Sequence, residues 1–171
     1  MFGGVFGSTL VAGFFGIYYY NVMTTLKVRM EESLRTLDVL VDRRQGQLLT
    51  VANLLRRLEL KGLDEAQVAL ENGRKAMQDS TVPGKARGLD EADKAIQAMM
   101  ILSNDQIELR NNADFDPAQR AIEKTNIEID GARRYFNALV RDYNMKVERV
   151  PSALYALLLR MKKADYLDTT P

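Results

Sequence analysis

The 171-residue chain has no cysteine, no histidine and no tryptophan, and only four prolines. Without cysteine there is no disulfide, no thiolate nucleophile and no iron–sulfur ligation. Without histidine the commonest general base and zinc ligand are missing too. An excess of one charge is also lacking, since 24 Lys+Arg stand against 23 Asp+Glu. That balance argues against nucleic acid as a partner, because neutralising phosphates needs a basic excess or face. No Gly-rich phosphate loop occurs: Pro83-Gly84-Lys85-Ala86-Arg87-Gly88 lacks both the P-loop spacing and a preceding strand. These absences point to a non-enzyme with no cofactor and no metal. The absence of cysteine is compatible with any redox compartment. What is present is apolar bulk: 46% hydrophobic residues against 27% charged ones suit one domain with its own core.

No charged side chain precedes Lys27. Phe2 to Tyr20 is a run of about 19 mostly apolar residues, long enough as a helix to cross a hydrocarbon core about 30 Å thick. Tyr18, Tyr19 and Tyr20 end it where an interfacial aromatic belt would lie, and Lys27 and Arg29 follow. A cleaved signal peptide would want a basic leading region and a small-x-small cleavage site. A soluble core helix would rarely run this far without a charge. The expectation is a single retained span over residues 1–23. The charge bias places the N-terminus outside and the bundle in the cytoplasm, at the cell (inner) membrane. Gly3 and Gly7 form a G-x-x-x-G pair, and Ala12 and Gly16 repeat the small-residue spacing. This is a candidate face for association between membrane helices, although glycine is also simply frequent in such helices.

From Leu26 onward the spacing is helical, with no strand-like alternation. Met30, Leu34, Leu37, Val41, Leu48, Val51, Leu55 and Leu58 mark one stripe, on which Arg44 falls in the gap. Gly62 reads as a stop, Asp64-Glu65 as the start of a short helix, and Ser80 to Gly84 as a loop. A third helix is expected from about Gly88 to Asn111. Asp116 and Pro117 suit the N-cap and first turn of a fourth. In that fourth helix Ile122, Ile129, Phe136, Tyr143 and Val150 recur every seven residues. Pro151 ends it, and Ser152 to Ala164 reads as a last amphipathic piece. The predicted fold is all-α: an N-terminal transmembrane helix continuing into an antiparallel four-helix bundle with long first and last helices. The bundle takes residues 24–164 and a loose tail residues 165–171.

Two blocks carry a resemblance. One is Leu37-Asp38-Val39-Leu40-Val41-Asp42-Arg43-Arg44. The other runs from Ile127 to Asn144, with Arg133-Arg134-Tyr135-Phe136-Asn137 and then Asp142-Tyr143-Asn144, before Val150-Pro151. With a preceding apolar helix ending at Tyr20-Asn21, the pattern resembles the LemA family of bacterial membrane proteins over about Ile17 to Tyr166. The chain departs from the family at Gly46 to Val51, which lacks the usual Pro. It departs again at Gln106-Ile107, at Phe136 and at Val150. The resemblance implies an N-terminally anchored helical bundle and no established molecular activity.

Arg43 and Arg44, with Asp130, Asn137 and Asn144 one heptad apart on the fourth helix, form a candidate polar seam. A buried Arg bonded to such groups would set helix register, and a partner contact is the alternative. Tyr135, Phe136, Tyr143 and Tyr155 read as core packing rather than an aromatic box. Arg160, Lys162 and Lys163, near Leu157, Leu158 and Met161, read either as cationic helix capping or as a contact for anionic lipid. The expected function is a membrane-anchored scaffold or adaptor for protein partners. The alternative is a self-assembling, membrane-organising protein that forms a homo-oligomer.

Overall fold

The computed structural model describes residues 2–57, 63–79, 81–104 and 113–167, apart from the side chains of 2–10, 12, 63, 65, 66 and 104. All regular structure among the described residues is helical: α1 (Phe2–Arg56), α2 (Leu63–Met77), α3 (Val82–Asn104), α4 (Phe115–Glu148) and α5 (Ser152–Leu158). Helix α1 is unbroken for 55 residues, about 80 Å at 1.5 Å per residue. The apolar N-terminal run and the first bundle helix are therefore one rod, as the lack of a breaker at Tyr20 predicts. No helix among the described residues is long and apolar enough to cross a membrane.

The helices pack as two antiparallel pairs. Along α1 and α4 the partners run in opposite senses, with Lys27 over Tyr143, Arg43 on Glu128 and Arg44 on Asn126. Helices α2 and α3 pack against each other as a hairpin. The periodic residues face inward. Met30, Leu37, Val41, Leu48, Val51 and Leu55 of α1 are buried, and so are Ile122, Ile129, Phe136 and Tyr143 of α4. They form two apolar clusters. One lies around Leu37, Leu89, Phe136 and Val140, the other around Leu48, Met99, Phe115 and Ile122. Leu58 and the end of the predicted third helix lie outside the described residues.

The boundaries differ from expectation at four places. Residues Val82 to Gly84 are not loop but the first turn of α3. Pro83 fits there because first-turn N–H groups need no intrahelical partner. Thr81 caps the turn, its Oγ1 accepting the Gly84 N–H at 3.1 Å. Helix α4 starts at Phe115 rather than after Asp116, following Asp114, whose side chain makes no capping bond. The heptad repeat of α4 stops short of Val150, which is exposed beyond the helix end. The last piece is helical only as far as Leu158. There a left-handed Arg160 (φ 52°) ends it, with Met161 N–H bonded to Ala156 O at 2.9 Å and Arg160 N–H to Leu157 O at 3.1 Å. That bond pair is a Schellman stop, which satisfies carbonyls the helix end would leave open.

The tail is not loose from Asp165. Leu167 is fully buried, and its N–H is bonded to the Asn137 side chain at 2.9 Å. Residues 168–171 lie outside the described residues.

Candidate functional site

Arg44 sits on the apolar stripe of α1 with 2% of its surface exposed. Its Nη1 donates to Asp93 Oδ1 of α3 at 2.6 Å and to Asn126 Oδ1 of α4 at 3.0 Å. Its Nη2 is buried with no hydrogen-bond partner. Arg133 of α4 reaches the same region of α3, with Nη2 3.3 Å from Asp90 Oδ1 and Nη1 3.5 Å from Asp93 Oδ2. The result is a charge-alternating seam, Arg44–Asp93–Arg133–Asp90, that ties α1, α3 and α4 together. Two further pairs flank it: Arg43–Glu128 at 2.9 Å and Lys85–Asp38 at 2.6 Å. Lys85 also donates to the Met77 carbonyl at 3.0 Å, which covers the C-terminal end of α2.

The predicted seam therefore divides. Arg44 is buried and paired, and Arg43 is in an exposed pair beside it. Asp130 is exposed and joins no ion pair of the seam among the described residues. Asn137 and Asn144 do not meet Arg44 at all. Asn144 makes a two-way amide clip on Ala164, donating to its O at 3.0 Å and accepting its N–H at 2.9 Å, while Asn137 accepts the Leu167 N–H. Seven residues apart on α4, the two amides dock the C-terminal segment. Sequence reasoning missed Asp90, Asp93, Asn126 and Arg133. The spacing of three between the aspartates and of seven between Asn126 and Arg133 puts each pair on one helix face, but spacing alone does not say which helix lies opposite.

Of the aromatic residues, Phe136 and Tyr143 are core, whereas Tyr135 is exposed. Tyr155 of α5 stacks on Tyr19 of α1, with centroids 5.6 Å apart and an interplanar angle of 25°. Gly16 is covered by the same ring, which would lie 3.2 Å from a Cβ placed there. That takes Gly16 out of the candidate association face. The side chains of Gly3, Gly7 and Ala12 lie outside the described residues. Between α1 and the end of α4 lies a cleft of about 670 Å³ lined by Tyr18, Tyr19, Leu26, Arg29, Lys146 and Arg149 among others. No group of three or more acidic residues among the described ones is placed to hold a metal ion.

Among the described residues one titratable group departs clearly from its ordinary value. The Asp79 carboxyl is held below 3.8, first by the Thr81 backbone N–H at 2.8 Å, then by the Thr81 hydroxyl and by the positive charges of Arg87 and Lys85. A carboxyl whose pKa is lower folded than unfolded stabilises the fold above the unfolded value, and that contribution is lost as pH falls through the folded value. Asp79→Asn keeps the acceptor and removes the charge. We expect it to lower stability at neutral pH and to flatten the loss of stability below about pH 4, where Asp titrates. Hydrogen exchange at the Thr81 amide across that range reads both effects.

The seam and the clip hold helices and a chain end in place. No curated protein matches the chain. The LemA family model matches residues 21–171, from just after the apolar run to the last residue, and the chain belongs to the LemA family.

Proposed function

We propose that the protein is a membrane-anchored helical scaffold that holds protein partners at the membrane and catalyses no reaction. The observation that carries this reading is the state of the first part of α1. Val11, Phe14, Phe15, Ile17, Tyr18 and Tyr20 are all exposed, on a rod whose continuation from Met23 onward is packed into the bundle. Exposed apolar surface of this density marks an interaction or membrane site. Together with the uncharged run from Phe2 it supports a single span that hands its rigidity directly to the bundle. The charge bias supports a cytoplasmic bundle.

The test uses a C-terminally tagged chain in cells whose outer layers have been opened, followed by alkaline carbonate extraction. A protected tag and a membrane-bound chain are expected. Digestion of the tag would reverse the orientation, and release by carbonate would remove the anchor. Native mass in mild detergent then separates the scaffold from the alternative. A monomer or dimer fits an adaptor for other proteins, and a large homo-oligomer fits a self-assembling membrane organiser.

A further inference from the structure

Helix α5 is turned the opposite way from a core helix. Its leucines point outward: Leu157 and Leu158 are each 79% exposed, and Leu154 and the preceding Val150 are exposed as well. Only Ser152 and Ala156 are buried. Three observations indicate what covers this face. The first is height. Tyr155 stacks on Tyr19 and lies against Gly16, so α5 sits beside the last turn of the apolar run, about 6 Å inside its end at Tyr20 for four residues of helix rise. The second is charge. Arg29, Lys146 and Arg149 line the cleft beside α5, and Arg160 and Lys162 follow it. None of these five makes an ion pair among the described residues. Asp142 is the acid that lines the same cleft, and it lies 3.7 Å from Arg141, while Glu148 is paired with Lys163. The third is the stop at Arg160, which ends the helix and puts its basic residues beyond the apolar turns rather than among them.

We propose that α5 is a second membrane contact. Its leucines lie in the cytoplasmic monolayer beside the span, and the cleft cations Arg29, Lys146 and Arg149 hold the phosphate headgroups of anionic phospholipid. An apolar face with flanking cations is what an interfacial helix needs. Such a helix is too short to bind alone, but here the stacked tyrosines and the covalent path through α4 tether it at the surface. The bundle would then stand on the membrane at two points, with its orientation fixed relative to the bilayer rather than swinging on a single rod. This inference rests on the membrane reading of α1.

The chain has no tryptophan, so one introduced indole reports one place. Leu157→Trp and, separately, Phe14→Trp are made in the full chain. Each is reconstituted in vesicles of phosphatidylcholine alone or with about 30% phosphatidylglycerol, with and without brominated acyl chains. We expect both indoles to emit in the blue and to be quenched by bromine. For Leu157→Trp we expect quenching at least about twofold stronger in the anionic vesicles, a difference that Arg29→Gln with Arg149→Gln removes. Quenching at position 14 but not at 157 overturns the proposal and leaves the anchor standing. Quenching at neither position overturns both. A blue, unquenched indole at 157 means that a second copy of the chain covers the leucines, and it overturns the lipid assignment. Equal quenching at 157 in neutral and anionic vesicles overturns the role of the cleft cations.

Discussion

Asp93→Ala is expected to destabilise the protein by about 2–4 kcal/mol, and Arg44→Met by far less, although both break the same ion pair. The asymmetry follows from what each change leaves behind. Without Asp93, the Arg44 guanidinium stays in the interior with Asn126 as its remaining partner and one nitrogen already unpaired. A buried charge stripped of its counter-ion is among the most costly local defects. Without Arg44, the Asp93 carboxylate keeps Arg133 at 3.5 Å, and its side chain is 35% exposed, so water and a second cation both remain available. Methionine then fills the stem volume on an apolar stripe between Val41 and Leu48. The partial exposure of Asp93 is the reason the expected cost lies below that of a wholly buried pair. Urea unfolding in mild detergent should rank Asp93→Ala well below Arg44→Met, with the double variant close to Arg44→Met because the stranded charge is gone. A cost for Asp93→Ala under about 1 kcal/mol would put the seam in the class of surface pairs and deny it any part in holding register.

The unequal legibility of this chain follows from the same kind of distinction. A stripe of apolar residues says which face of a helix is buried, and that holds along α1 from Met30 to Leu55 and along α4 from Ile122 to Tyr143, though not for Val150 beyond the helix end. Leu37, Val41, Leu48, Ile122, Ile129 and Phe136 are where their spacing puts them, and even the odd charge at Arg44 is interior. What a stripe does not contain is the identity of the facing helix. Spacing therefore points Arg44 to amides on α4 that are occupied with the chain end, while its actual counter-ion is on α3. The same limit explains α5. The spacing of Leu154, Leu157 and Leu158 marks an apolar face in either environment, and only the placement of Ala156 against the bundle shows that this face looks out. Chain ends of helices were harder still. A proline in the first turn of α3 and a left-handed arginine after α5 depend on local bonds, from Thr81 and from the Ala156 and Leu157 carbonyls, that composition does not reveal.

A substitution series at helical glycines should reverse sign with position. Gly46 and Gly131 have nothing within 4 Å of an added Cβ, so alanine there should stabilise by about 0.5–1 kcal/mol through helix propensity alone. At Gly88 of α3 the same methyl would meet backbone: Gly73 O and Met77 N, each at 2.7 Å. The contact is mutual, since a Cβ at Gly73 would lie 2.9 Å from Ala92 N and 3.0 Å from Gly88 O. Helices α2 and α3 thus touch main chain to main chain at these two glycines, and backbone cannot rotate aside as a side chain does. Gly88→Ala keeps the propensity gain of about 1 kcal/mol but must push the helices apart against the packing of Leu89 and Met77, at a cost of about 1–3 kcal/mol. The net effect should be a loss, and Gly88→Val should enlarge it to several kcal/mol, because β-branching forfeits the propensity gain and adds two more methyls to the clash. The hairpin is the element to watch, since α2 packs on α3 more extensively than on α1. Hydrogen exchange should therefore rise in α2 and α3 before it rises in α1 and α4. A Gly88→Ala variant as stable as Gly131→Ala would mean that the hairpin helices have room to spare, and the close crossing at Gly73 and Gly88 would then not be what fixes their separation.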